Sequence, residues 1–229
     1  MNEQKKYVHL SLDCWGTLIN PHPEHSKERN RLISQVLLPE IRYTAPQKEI
    51  DGLIKRAKRF ADYSNEALGE QLSQRQALIM CIIDDYETIP KSVWKARFVQ
   101  FDIKYQELIK ALPPQLYSDE TLDLLKYLKS KDIKMNISCN TSFIKGISIR
   151  EFFVDNNIGN YFWYQLYSDE INGSKPSEFV FRNIYKPWED TLHIGDNLFS
   201  DGGSEQIGIK FLHINGDSGK TISEVLKYI

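Results

Sequence analysis

The first strand-like run of the chain, YVHLSLD (7–13), ends on a carboxylate, and the next comparable run begins only near Ile133. A connection between parallel strands needs about a dozen residues with short loops. Here roughly a hundred residues intervene, and their apolar positions recur at helical spacing. The pattern predicts helices over 24–38, 46–68, 70–86 and 91–111, with Pro46 opening the second and Pro113-Pro114 closing the last. The economical reading is a helical insertion placed directly after the first strand.

The C-terminal half alternates differently. SDETLDLLKYLKS (118–130) offers Ser118 as N-cap, acids in the first turn, and Leu122, Leu125 and Leu128 on one side. Strands at 133–138, 163–168, 191–196 and 209–215 are separated by helices at 145–156 and from about 177, with a last helix at 219–228. Strands alternating with helices give an α/β fold: a doubly wound parallel sheet covered on both faces. The domain reading is 1–20 with 113–229 as the α/β core, and 21–112 as an inserted α-helical domain.

Bulk properties exclude several functions. Twenty-nine basic residues against 31 acidic ones leave a net charge of −2, too little to gather nucleic acid. No run reaches the roughly 18 apolar residues that span a bilayer, and the polar start MNEQKK does not resemble a signal peptide. Cys14, Cys81 and Cys139 are odd in number and widely spaced, which argues against a disulfide framework or a zinc site. The expectation is a soluble cytoplasmic protein with neither nucleic-acid nor membrane partners.

In a parallel α/β sheet, ligands bind beyond the carboxyl ends of the strands. Asp13 ends one strand, Cys139-Asn140-Thr141 follows another, and Asp196 ends a third with Asp201 five residues on; Lys175 lies on a loop before a helix. Three carboxylates gathered there repel one another and lose hydration, so protons or a cation must compensate. Mg²⁺ suits all-oxygen ligands of this kind.

With these residues in view, the chain resembles the haloacid dehalogenase superfamily, whose commonest members are Mg²⁺-dependent phosphatases. The likeness rests on LSLDCWGTL, SCNTSF, SKP and HIGDNLFSD in the family's order. It implies a Rossmann-like core, with the insertion as a helical cap. It implies that Asp13 is the nucleophile, forming an aspartyl-phosphate with a small phosphorylated metabolite. Mg²⁺ would be held by Asp13, the backbone carbonyl of Trp15, and Asp196, with Asp201 direct or water-bridged. Lys175 would balance the nucleophile and hold phosphoryl oxygens; Asn140 would cradle the phosphate, beside Cys139 at a position usually Ser or Thr. Gly16 and Thr17 would shape the turn.

Two residues depart from that pattern. Trp15 stands where the phosphatases carry a second Asp that protonates the leaving oxygen, help worth about 10²–10⁴-fold. Cys139 offers a weaker donor than a hydroxyl, and is read as a bland substitution ahead of a redox switch. His22 and His25 are candidate replacement acids, weighed against ordinary surface histidines. The aromatic Trp15 also admits a 2-haloacid dehalogenase, against which the acidic cluster stands. A non-catalytic phosphate-binding protein on a decayed scaffold is a third reading.

Other signals are set aside. Trp94, Phe98, Phe101 and Tyr105 line one helix face and are read as packing. KRAKR (55–59) reads as a solvated face. GDSGKT (216–221) lacks the spacing of a nucleotide phosphate loop and reads as a turn.

Overall fold

The computed structural model describes residues 6–38, 47–68, 71–85, 89–184, 190–215 and 217–229. Its centre is a five-stranded parallel sheet. In chain order the strands are β1 (His9–Leu12), β4 (Lys134–Cys139), β5 (Tyr164–Tyr167), β6 (Thr191–Gly195) and β7 (Lys210–His213). They lie in the order β5-β4-β1-β6-β7. The chain runs outward from β1 through β4 to β5, then returns to build β6 and β7 on β1's other side. The direction therefore reverses at β1, and the crevice at a reversal point is where open α/β sheets hold ligands. The predicted α/β core is found.

Between strands run α5 (Asp119–Ser130), α6 (Gly146–Asp155), and the short α7 (Ser168–Ile171) and α8 (Glu178–Arg182). A two-residue antiparallel pair, β2 (Ile19–Asn20) with β3 (Gln115–Leu116), is too short for any periodic signal in the sequence. The closing helix expected at 219–228 is instead a 3₁₀ run, Ile222–Lys227. Its buried residues, Ile222 and Val225, stand three apart, the spacing that three residues per turn brings to one side.

Contacts divide the described residues into two compact units. Those within Met1–Asn20, Ser64–Gln71 and Gln115–Ile229 form one, and those within Pro21–Tyr63 and Leu72–Pro114 form the other. The second unit is built on α1 (His25–Leu32), which continues as a π-helical turn over Ile33–Leu37, on α2 (Gln47–Leu68) as far as Tyr63, and on α3 (Gln74–Asp85) and α4 (Lys91–Ala111). The third helix begins at Gln74, not at 70, because Ser73 and Gln76 form a reciprocal cap. Ser73 Oγ accepts from the Gln76 N–H at 3.1 Å, and Gln76 Oε1 accepts from the Ser73 N–H at 2.9 Å. The aromatic stripe of α4 packs as expected: Trp94, Phe101 and Tyr105 are buried, with Phe98 stacked on Trp94 at 5.6 Å.

The alternation in HLSL gives β1 two different faces. Leu10 and Leu12 lie level with Met135, Ile137, Leu192 and Ile194, forming an apolar face. His9 and Ser11 point the other way, Ser11 level with Asn136 and His193, and all four residues are buried. Three hydrogen bonds join them in a row. His9 Nε2 lies 2.7 Å from Asn136 Oδ1, Asn136 Nδ2 donates to Ser11 Oγ at 3.3 Å, and Ser11 Oγ lies 3.0 Å from His193 Nδ1. Buried polar groups are tolerable only when partnered in this way.

Ser11→Ala would orphan groups on both neighbouring strands. Leaving a buried partner unsatisfied costs about 1–3 kcal/mol, which lowers Tm by roughly 3–10 °C in a domain of this size. Thermal melts of Ser11→Ala and wild type measure this; an unchanged Tm would show that the ladder adds no net stability.

Candidate active site

Asp13 follows β1 directly and remains in the sheet, its N–H donating to the Ile194 carbonyl at 2.8 Å. The chain then folds into a tight turn. One carbonyl, that of Cys14, accepts the N–H groups of Thr17, Leu18 and Ile19 at 3.4, 2.9 and 3.0 Å. Trp15, half-buried, lies within this turn. Gly16 has φ +70°, and a Cβ there would collide with the Asp196 carboxylate. Glycine is therefore required twice over, by backbone conformation and by the approach of an acid. Asn215 Nδ2 donates to the Gly16 carbonyl at 2.7 Å and holds the turn from the β7 side.

Lys175 comes from the loop between α7 and α8. Both its backbone groups are clamped by one side chain: its N–H donates to Asn140 Oδ1 at 2.8 Å, and its carbonyl accepts from Asn140 Nδ2 at 2.9 Å. The lysine is buried. Its Nζ donates to Asp13 Oδ1 at 2.7 Å and also to Asp201 Oδ1. A lysine at the core of a sheet requires such partners, since an unpaired buried charge costs several kcal/mol.

Asp201 is the most fully engaged carboxylate. Oδ1 accepts from Lys175 and lies 3.1 Å from His193 Nε2, while Oδ2 accepts the Asn197 N–H at 3.0 Å. The pattern fixes the tautomer of His193: Nε2 carries the proton, and Nδ1 accepts from Ser11. Every donor in the ladder then points the same way, from His9 through Asn136, Ser11 and His193 to Asp201. Asp196 is half-buried beside it, its carbonyl accepting from His213 Nε2 at 2.9 Å. Ligand oxygens of Asp13, Asp196 and Asp201 all lie within 4.8 Å of one another.

The charges respond accordingly. Burial drives the Asp13 carboxyl up to about 7, against Lys175, with Asp201 and Asp196 pushing in the same direction as burial. Burial opposes charge on Lys175, yet the carboxylates of Asp13 and Asp201 hold it above the usual lysine range. Asp201 is likewise buried, but Lys175 and His193 hold it well below the usual carboxylate range. Asp196 is raised by burial and by Asp201. His193 is lowered, chiefly by burial, which keeps it neutral. Three carboxylates and one ammonium leave two uncompensated negative charges when all are ionised, which one divalent cation on oxygen ligands matches.

Several residues sit otherwise than the sequence led one to expect. Both ends of the Asn140 carboxamide bond the backbone of Lys175, so its first task is to place the lysine. Thr17 Oγ1 reaches Asp13 Oδ2 only at 3.4 Å. Cys139 is buried, with Sγ 3.5 Å from the Asn140 carbonyl. His25 packs in the helical unit, 3.1 Å from the Tyr105 hydroxyl, and burial with Arg29 and His22 lowers it to about 4. It is thus neutral near pH 7 and no proton donor. His22 accepts the Glu24 N–H through Nδ1 at 3.2 Å. Sequence reasoning missed Ser11, Asn136 and His193; an alternating strand of small polar residues normally signals a solvent face.

No protein-family model and no curated protein matches the chain. Solved structures do. The magnesium-bound HAD-hydrolase candidate YfnB of Bacillus subtilis aligns at TM-score 0.66 and 17% identity, covering 97% of this chain and 98% of that one. A HAD phosphatase from Thermococcus onnurineus aligns at 0.51 and 19%, covering 95% and 89%. The L-2-haloacid dehalogenase of Xanthobacter autotrophicus aligns at 0.53 and 11%, covering 91% and 77%. The chain has the haloacid dehalogenase-like fold.

The raised Asp13 carboxyl makes a stability prediction with a definite sign. The native state binds this proton more tightly than the unfolded chain, so its contribution is present below the ordinary value near 4 and is lost as pH rises to about 7. In chelator, Asp13→Asn therefore gains on wild type, by several degrees in Tm, as pH is raised from 4.5 to 8. Added Mg²⁺ should raise the wild-type Tm more at pH 8 than at pH 5. A pH-independent gap between the two proteins would contradict the electrostatic assignment.

Proposed function

We propose that the chain is a Mg²⁺-dependent phosphohydrolase acting on a small phosphorylated metabolite, with the helical unit as its cap. The carrying observation is the convergence of Asp13, Asp196 and Asp201, the first and last bonded to one buried lysine, with two negative charges left over. The likeness to a magnesium-bound HAD-hydrolase candidate and to a HAD phosphatase supports it.

In this reading Asp13, Asp196 and the Trp15 carbonyl hold the metal, with Asp201 reaching it directly or through water. When bound, Mg²⁺ supplies positive charge that lets a carboxylate approach a phosphate anion. Asp13 attacks phosphorus; the bond from phosphorus to the leaving oxygen breaks, and an aspartyl-phosphate forms on Asp13. Water then attacks that phosphorus, and the Asp13 carboxylate is returned. Lys175 donates to the phosphoryl oxygens and offsets charge on Asp13, while Asn140 keeps Lys175 in place. Backbone N–H groups after Cys139 and the Thr17 hydroxyl complete the phosphate contacts.

Trp15 sets the substrate class. An indole has no proton to give at neutral pH, and the neutral, bonded His25 does not replace it. The fitting substrates carry leaving groups that need little protonation, such as acyl phosphates. One observation favours a second reading: Trp15 is aromatic, as in dehalogenases, one of which shares this fold. Asp13 would then attack carbon and release halide, with two further acids facing the substrate's own carboxylate.

A panel of alkyl, aryl and acyl phosphates and 2-haloacids separates these. Phosphate release is expected, fastest from acyl phosphates, and lost with chelator or in Asp13→Asn. Trp15→Asp should raise turnover of alkyl phosphates by about tenfold or more, by supplying the absent acid. Metal-independent halide release would establish the second reading, and ligand binding without turnover would place the protein among non-catalytic phosphate binders.

A further inference from the structure

Cys14 and Cys139 are 125 residues apart in sequence, yet they are neighbours in the sheet. Leu12 of β1 stands level with Ile137 of β4, and carrying that register on by two residues sets Cys14 opposite Cys139. Side chains two residues apart along a strand share a face, so both thiols lie on the side of Leu12 and Ile137. Neighbouring strands lie about 4.7–4.9 Å apart, inside the roughly 4.4–6.8 Å Cα window of a disulfide. Both are free thiols and both are buried. Tyr167 of β5, level with Cys139, extends the same row and is itself fully buried.

The position matters more than the pair. Cys14 follows Asp13, and its carbonyl is the acceptor on which the whole 15–19 turn is wound. Cys139 precedes Asn140, whose side chain clamps the backbone of Lys175. A bond between the two sulfurs would pull on the nucleophile's turn and on the lysine's clamp together. The sheet gives little room to absorb such a shift, since Asp196 already lies against Gly16 without space for a Cβ.

We infer that Cys14 and Cys139 form a reversible oxidation site, closed to a disulfide by hydroperoxides, and that closure disables the acidic site beside it. The chemistry balances. A hydroperoxide transfers its terminal oxygen to one thiol, giving a sulfenic acid and an alcohol or water. The second thiol attacks that sulfur, the S–S bond forms, and water leaves. Two electrons pass in all from the thiols to the peroxide. A small dithiol reductant reverses the step by thiol–disulfide exchange. A transient bond of this kind fits a protein whose cysteines are otherwise reduced. The loss of activity rests on the phosphohydrolase reading; the disulfide itself does not.

The test uses the full chain carrying Cys81→Ser, which removes the third thiol. After hydrogen peroxide and alkylation, a non-reduced peptide map should show Cys14 joined to Cys139, with the intact mass lower by two hydrogens. Hydrogen exchange at the Leu18 and Ile19 amides should quicken on oxidation, because both bond to the Cys14 carbonyl. Mg²⁺ affinity measured by calorimetry should fall by about tenfold or more, and return with dithiothreitol. The same chain with Cys14→Ala should show neither change under peroxide. If both thiols still alkylate, or Cys139 alone is oxidised to an acid, the pair is not a switch. A mapped disulfide that leaves the exchange rates unchanged also overturns the inference. If the reduced protein binds no Mg²⁺ at all, the phosphohydrolase reading fails, while the map and the exchange rates still decide the cysteine pair.

Discussion

A single buried ammonium organises the C-terminal edge of this sheet. Lys175 joins Asp13, at the end of β1, to Asp201, just beyond β6, and its charge favours the ionised form of both carboxylates. The lysine in turn depends on Asn140, which grips its backbone from the end of β4. Residues from three distant stretches of sequence thus converge on one lysine. The arrangement remains under-compensated, and its deficit is that of a divalent cation.

Support for this cluster comes from within the sheet. The ladder from His9 to His193 delivers one oriented donor to Asp201 and leaves that carboxylate's position little freedom. Hydrogen bonds aligned head to tail polarise one another, so the donor at the end of the ladder is stronger than an isolated imidazole. A buried polar face costs core hydrophobicity on one side of β1, and Leu10, Leu12, Ile137 and Ile194 supply it on the other. The central strand therefore serves stability through one face and the site through the other.

Much of this was legible in the sequence, and the reasons are specific. Asp13 and Asp196 each terminate an apolar strand, and a parallel sheet collects strand ends at one edge, so their meeting follows from topology alone. Lys175 followed from the same logic at a loop. The ladder did not, because His9, Ser11 and Asn136 alternate with apolar residues just as solvent-facing residues do. Asn140 was expected to hold phosphate, but its amide is engaged by a backbone whose path only the fold reveals. The adjacency of Cys14 and Cys139 needed the strand register, which no local pattern encodes. Trp15 marks where a familiar motif and a different proton economy part company.

In the proposed function Asp13 and Asp196 share one divalent cation, which Asp201 reaches directly or through water while bonded to Lys175. Anomalous scattering from a crystal equilibrated with Mn²⁺, which substitutes for Mg²⁺ on oxygen ligands, reads this directly. One peak bonded to carboxylate oxygens of Asp13 and Asp196, beside the Trp15 carbonyl, is the expected result. A crystal without a peak there, or with Lys175 alone occupying the space between the acids, would contradict it.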